Sequence, residues 1–164
     1  MLRHTPDVIL LGEMRDLETT RAALSIAETG HLVLSTVHAH DAVQALVRII
    51  DAFPEDARSA VRTQLSLTVS AIVNQRLIKD VNGKLVLACE VLVNCPAVAA
   101  QIREGNFEQI YSTMEVEQRI GMQTLNHSLE GLVKSGRVNQ KLADRYVVTR
   151  ESRRWAPPGG SVAR

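Results

Sequence analysis

Residues 7–36 decide the fold, and they read DVILLGEMRDLETTRAALSIAETGHLVLST. The run over residues 7–12 is short, apolar and closed by glycine, which predicts a buried strand. Asp16 is suited to cap a helix over residues 17–29, and a second apolar strand follows over residues 31–36. Strand, helix and strand within about 30 residues predict a βαβ unit, whose two strands run parallel.

Composition narrows the class of protein. The chain has 164 residues, of which 45% are hydrophobic, 23% charged and 3% aromatic, so it has the apolar content of a globular domain. A net charge of +1 and few aromatic residues argue against a nucleic-acid partner. No apolar run approaches the roughly 18 residues that span a bilayer, and the first residues lack the apolar core of a signal peptide. Two cysteines, Cys89 and Cys95, favour a reducing compartment. We therefore expect a cytoplasmic protein that does not cross a membrane.

The rest of the chain is predicted to be mostly helical. Asp41 is suited to cap one helix, and a second helix is expected from about Glu55, with an apolar stripe that reaches Ile72. Asn82-Gly83 between two apolar stretches predicts a hairpin. Short helices are expected after Pro96. The predicted division is a core over residues 1–95, a helical subdomain over 96–149 and a disordered tail over 150–164.

The carboxyl end of the first strand carries the first candidate for chemistry. Parallel sheets bind ligands beyond the carboxyl ends of their strands, and Glu13 lies there, directly after Gly12. We expect Gly12 to let the chain turn sharply, and a carboxylate at Glu13 to orient or deprotonate a water molecule, or to hold the water shell of Mg²⁺. The alternative is that Glu13 is only the polar residue that ends a strand, and spacing alone favours that alternative.

Three histidines at positions 31, 38 and 40 suggest a metal site, but distance argues against it. His31 and His38 lie at opposite ends of an extended segment, roughly 23 Å apart at about 3.3 Å per residue, so one ion cannot touch both. His38 and His40 together supply two ligands, and two ligands do not make a zinc site. His38 is better interpreted as a donor to phosphate on the same edge as Glu13, and His31 as a structural or interface residue.

A nucleotide site also needs a phosphate cradle, and the 164 residues contain no GxxxxGK[ST] motif. The pair with the right spacing is Gly131 and Gly136, but Arg137 and Val138 follow it, and it ends a helical stripe instead of following a strand. This pair is therefore rejected as a P-loop.

Two segments together resemble the type II/IV secretion-system ATPases, and among them the retraction (twitching-motility) ATPases of type IV pili. Residues 6–19 resemble the Walker B segment of that family, and residues 29–38 its His box. Further matches lie at 48–54, 102–105 and 121–125, so the resemblance covers about residues 3–148 and corresponds to the C-terminal half of the family's proteins.

The resemblance implies a fold and a set of site residues. The fold is a partial RecA-like α/β core with parallel strands and a hairpin, followed by a mostly helical region, and the cofactors are ATP and Mg²⁺. Glu13 and His38 would be catalytic, Gly12, Arg15 and His31 would bind the nucleotide, and Glu13 would hold Mg²⁺ through water. The chain lacks Walker A, so we expect it to be inactive alone.

The resemblance also implies the partners and the location. It indicates a homo-hexamer or a complementing ATPase subunit, and a platform protein of the inner membrane at the base of the pilus, with the chain on the cytoplasmic side. Residues 97–104 depart from the retraction motif of the family, but two cysteines cannot supply the tetracysteine site of assembly ATPases, which favours the retraction branch. The alternatives are a non-catalytic fragment that binds or regulates such hexamers, and a gene remnant without a stable fold.

Overall fold

Two parallel strands joined by a helix begin the fold in the computed structural model, which describes residues 6–149. Strand β1 (Val8–Glu13) pairs with β2 (Leu32–Thr36), and helix α1 (Leu17–Glu28) connects them. The register places Val8 beside Leu32 and Leu10 beside Leu34. The predicted α/β class and the parallel βαβ unit are confirmed.

Local sequence signals explain where α1 begins and ends. The Asp16 carboxylate accepts a hydrogen bond from the Thr19 amide at 2.8 Å, so Asp16 is the N-cap that the sequence predicts. Gly30 follows the helix with φ of 89°, a left-handed conformation that costs glycine little. The helix packs Thr20, Ala23 and Leu24 inward. Asp16 thus starts the helix, and Gly30 lets the chain turn after it into β2.

The remaining elements follow in chain order and are mostly helical after the hairpin, as predicted. They are α2 (Ala42–Asp51), α3 (Arg58–Thr68), β3 (Ala71–Lys79), β4 (Leu85–Val93), α4 (Pro96–Glu104), α5 (Phe107–Val116), α6 (Leu125–Lys134) and α7 (Gln140–Ala143). Asp41 caps α2 by accepting from the Gln44 amide at 2.7 Å, which confirms its predicted role. Strands β3 and β4 form the predicted hairpin around Asn82 and Gly83. In the described part of the chain, no helix is long and apolar enough to cross a bilayer.

The predicted second helix is wrong at its end. Helix α3 stops at Thr68, and Val69 has extended backbone angles of −67° and 128°. Ile72 therefore lies in β3, not on a helical stripe. The β-branched residues Val69 and Ile72 favour extended backbone, although their spacing continues the helical stripe of Val61 and Leu65.

The chain divides into two units, each with its own apolar core. In the described residues, unit 1 covers 6–76 and 89–124, and unit 2 covers 77–88 and 125–149. Unit 1 buries residues of α2 to α5, including Leu46, Ile102 and Met114, in one cluster. Unit 2 buries residues such as Ile78, Leu125 and Leu129. This division differs from the predicted boundary after residue 95, because α4 and α5 share the core of the first unit. The predicted disordered tail over 150–164 lies outside the described residues.

One face of the β1–β2 sheet is apolar and exposed. Val8, Leu10, Leu32 and Leu34 lie on it as two cross-strand pairs, and Leu10 is 76% exposed. Parallel sheets are ordinarily covered on both faces. On the opposite face, Ile9, Leu11 and Val33 are half-buried.

Candidate active site

The carboxyl ends of β1 and β2 bring two segments of the sequence together. Glu13 pairs with Thr36 after a register shift between Leu11 and Glu13. The Thr36 hydroxyl donates to the Gly12 carbonyl at 2.6 Å, and the Met14 amide donates to the Thr36 carbonyl at 2.9 Å. These bonds fix the strand ends side by side, so residues that follow Thr36 lie within reach of Glu13.

Glu13 contacts two cationic or polar partners at this edge. Its Oε1 atom lies 3.2 Å from Nε2 of His38, and its Oε2 atom lies 2.5 Å from Nε of Arg15. The Glu13 side chain is 22% exposed, whereas the His38 side chain is 83% exposed. Glu13 is thus partly shielded and oriented, while the imidazole and the guanidinium beside it face solvent. The structure brings together the predicted residues Glu13, Arg15 and His38.

Gly12 differs from the expectation in one respect. It lies within β1 and is not among the glycines with positive φ, so the chain does not turn sharply there. A Cβ atom at Gly12 would meet no heavy atom within 4 Å. Its surface is therefore open beside Glu13, and a ligand can approach the backbone there.

Asp16 serves the helix that follows the site. The Thr19 amide, and then the Thr19 side chain, stabilise its charged form by hydrogen bonding, which lowers the pKa of Asp16 below its ordinary value. A carboxylate at this N-terminus also suits the helix dipole. Asp16 therefore anchors the short turn that carries Arg15.

His31 is not part of this constellation. It precedes β2 at the amino end of the strand, and its Nδ1 atom lies 2.8 Å from the Thr29 hydroxyl. His38 follows the carboxyl end of the same strand, so the length of β2 separates the two imidazoles. A role for His31 in binding the nucleotide beside Glu13 stays a prediction from the resemblance.

Sequence reasoning missed four polar residues that hold the segment after β2. Arg48 donates to the His38 carbonyl, Asn74 to the Ala39 carbonyl at 3.0 Å, and Arg76 to the His40 carbonyl at 3.1 Å. The carboxylate of Glu90 accepts from the Ala42 amide at 2.8 Å. The sequence gives no local signal for Asn74 and Arg76, because they share one face of β3 with the apolar Ile72 and Ile78.

The donor set at Glu13 fits one kind of metal binding. Among residues 6–149, no group of three or more His, Cys, Asp or Glu side chains is placed to hold an ion. Mg²⁺ usually keeps several waters and takes one or two carboxylates together with the phosphates of a nucleotide. A single, partly exposed carboxylate at a strand end therefore suits Mg²⁺ held through water.

Comparisons with known proteins show the family of this chain. The family described as type II/IV secretion system protein matches residues 1–152. The type IV pilus retraction ATPase PilT of Pseudomonas aeruginosa is 44% identical over 142 residues, which cover 87% of this chain and 41% of that protein. A twitching motility protein of Neisseria gonorrhoeae is 44% identical over 153 residues, or 92% of this chain and 41% of that protein.

A solved structure gives the same result. The crystal structure of the pilus retraction motor PilT with bound ADP superimposes with a TM-score of 0.81 at 41% identity, and the match covers 92% of this chain and 42% of that one. The chain thus spans about two fifths of the length of these relatives. Sequence and fold agree: the chain belongs to the type II/IV secretion system protein family.

Proposed function

We propose that this chain forms part of an ATPase that hydrolyses ATP with Mg²⁺ to power retraction of a type IV pilus. The observation that carries the proposal is the contact of 3.2 Å between Glu13 and His38 at the carboxyl edge of two parallel strands. Ligands of open α/β sheets bind at this edge. The similarity to retraction ATPases, one of them with bound ADP, supports the nucleotide and the process.

In this proposal Glu13 orients or deprotonates the attacking water. Its Oε1 atom is turned to His38 and its Oε2 atom to Arg15, so the carboxylate is held in one orientation. General-base assistance of this kind contributes about 10² to 10⁴ in rate. Bound Mg²⁺ would neutralise charge on the phosphates, and Glu13 would hold it through water.

His38 and Arg15 supply donors around that carboxylate. Both side chains are exposed beside Glu13, so they are free to meet phosphate oxygens as well as the carboxylate. The open surface over Gly12 allows close approach of the ligand. We assign nucleotide binding to Gly12 and Arg15, and we keep His31 as a candidate on the resemblance alone.

The proposal includes partners. The 164 residues hold no P-loop motif, so the phosphate cradle is assigned to a segment that they do not contain. We place the chain in a homo-hexamer or beside a complementing ATPase subunit, on the cytoplasmic side of the inner membrane, where it acts on the platform protein of the pilus.

The test is a chimera in which this chain replaces the matching segment of Pseudomonas aeruginosa PilT. We expect the chimera to hydrolyse ATP, and Glu13→Gln to lower kcat by about 10² to 10⁴ while nucleotide binding persists. The matched control is Glu18→Gln, because Glu18 is an exposed carboxylate in the first turn of α1. Turnover that Glu13→Gln leaves intact would refute the role of Glu13, and a folded chimera without turnover would refute the ATPase proposal.

A second candidate is a non-catalytic chain that binds and regulates such ATPases. The apolar face of Val8, Leu10, Leu32 and Leu34 favours it, since an exposed face of this kind commonly marks an interaction surface. The test adds the chain to purified Pseudomonas aeruginosa PilT. Co-elution with a fall in activity per subunit supports this function, and separate elution with unchanged activity argues against it.

A further inference from the structure

The segment between β2 and α2 is held by its own backbone carbonyls. The carbonyls of His38, Ala39 and His40 each accept a hydrogen bond from a different side chain: Arg48, Asn74 and Arg76 respectively. Arg48 comes from α2, and the other two come from β3. Three successive carbonyls are thus fixed from two elements, which leaves residues 38–40 little freedom to rotate.

The hairpin contributes a further contact on the same side. Glu90 in β4 is 2% exposed, and its Oε1 atom accepts from the Ala42 amide, at the first residue of α2. A carboxylate at a helix N-terminus is favoured by the free amides and the helix dipole. The Asp80 amide donates to the Lys84 carbonyl, and the Asn94 amide donates to the Ser70 carbonyl. These backbone bonds set a register in which Asn74 lies opposite Glu90. Side chains of the hairpin therefore contact this connection at residues 39 and 40 and the start of α2 at residue 42.

His38 depends on this support because its own side chain is 83% exposed. Packing contributes little to where an exposed imidazole lies, so the distance to Glu13 follows from the position of the backbone. We propose that Asn74, Arg76 and Glu90 of the β3–β4 hairpin are positioning residues that hold His38 against Glu13. The catalytic meaning of this arrangement rests on the proposed function, but the arrangement itself does not.

The first experiment uses the isolated chain with labelled histidines and measures the ring nitrogen shifts of His38 at one alkaline pH. These shifts report which nitrogen carries the proton, and the contact with Glu13 selects Nε2. Glu13→Ala gives the shifts that follow loss of the contact. The test variants are Asn74→Ala and Arg76→Met, since methionine keeps an apolar stem but donates no hydrogen bond. The control is Gln75→Ala, on the exposed face of the same strand.

The expected result is that both test variants move the His38 shifts towards those of Glu13→Ala, while Gln75→Ala leaves them unchanged. Unchanged His38 shifts in Asn74→Ala and Arg76→Met would overturn the proposal, as would an equal change in Gln75→Ala. Glu90→Gln keeps an acceptor for the Ala42 amide and is expected to leave the shifts nearly as they are. This experiment needs no turnover, so it separates the positioning role from the ATPase assignment.

The second experiment measures kcat and KM in the chimera described above. Arg76→Met is expected to lower kcat by about 10- to 100-fold, with KM for ATP little changed. In a His38→Ala background, Arg76→Met is expected to lower kcat no further, because the side chain that Arg76 positions is gone. A full additional loss in that background would show that Arg76 acts otherwise and would overturn the proposal.

Discussion

Glu13 ends β1 and His38 follows the end of β2, and Nε2 of the imidazole lies 3.2 Å from Oε1 of the carboxylate. The contact exists because β1 and β2 are parallel neighbours and end at the same edge of the sheet. Thr36 and Gly12 are hydrogen-bonded at that edge. This arrangement underlies the proposed roles of Glu13 in positioning a water molecule and of His38 in meeting a phosphate.

The two histidines that flank β2 should differ in their effect on turnover. In the chimera, His38→Ala is expected to lower kcat by on the order of 10², because it removes a donor beside Glu13. His31→Ala is expected to change kcat little, because His31 contacts Thr29 at the other end of the strand. Steady-state ATP hydrolysis measures both. Equal losses would contradict this prediction and would support the role of His31 implied by the resemblance.

The exposed face of the β1–β2 sheet should drive self-association of the isolated chain. Leu10→Gln removes the most exposed apolar side chain of that face, at 76%. We expect it to shift the chain towards monomer in sedimentation velocity, because the leucine contributes nothing to the described core. Leu67→Gln is the matched control, since Leu67 is 73% exposed but lies on α3. A similar shift in both variants would contradict a role specific to the sheet face.

Two glycines should respond to alanine with opposite signs. Gly105 ends α4 with φ of 78°, so Gly105→Ala is expected to destabilise the chain by about 1 kcal/mol. Gly131 lies inside α6, where a Cβ atom would meet nothing within 4 Å, so Gly131→Ala is expected to stabilise it by about 0.5–1 kcal/mol. Urea unfolding followed by circular dichroism measures both. A stabilising Gly105→Ala would show that α4 does not end in the left-handed conformation.

Stability should depend on pH through Asp16. The Thr19 hydrogen bonds lower its pKa in the folded chain below the ordinary value of 3.8, so the charged form is favoured by folding. Its contribution is fully present above that ordinary value and is lost as pH falls through the lowered pKa. Asp16→Asn keeps a capping oxygen but does not titrate. Urea unfolding should therefore give the wild type a higher free energy of unfolding than Asp16→Asn near neutral pH, and this difference should disappear in acid. A difference that stays constant with pH would contradict the prediction.

Much of the βαβ unit could be predicted from the sequence because its signals are local. Each signal acts within a few residues of the feature that it determines. These signals are the run of β-branched and aliphatic residues, the cap at Asp16 and the glycine after α1. Parallel pairing followed from the length of the connection. Once the strands were parallel, the meeting of Glu13 and His38 at one edge also followed.

The end of α3 was missed because the same residues satisfy two patterns. Val69 and Ile72 continue the apolar spacing of Val61 and Leu65, but they also begin an extended segment. Only the pairing of β3 with β4 decides between these patterns, and that pairing joins residues distant in sequence.

The sequence by itself determined the family, the βαβ unit and the residues at its carboxyl edge, because periodicity, caps and motifs are written in neighbouring positions. Tertiary structure alone decided what holds His38 in place. Asn74, Arg76 and Glu90 lie on another sheet and act on backbone carbonyls and an amide, which look the same at every position of a sequence. Hydrogen bonds to the backbone carry no sequence signature at the residue that receives them, so only the folded arrangement reveals them.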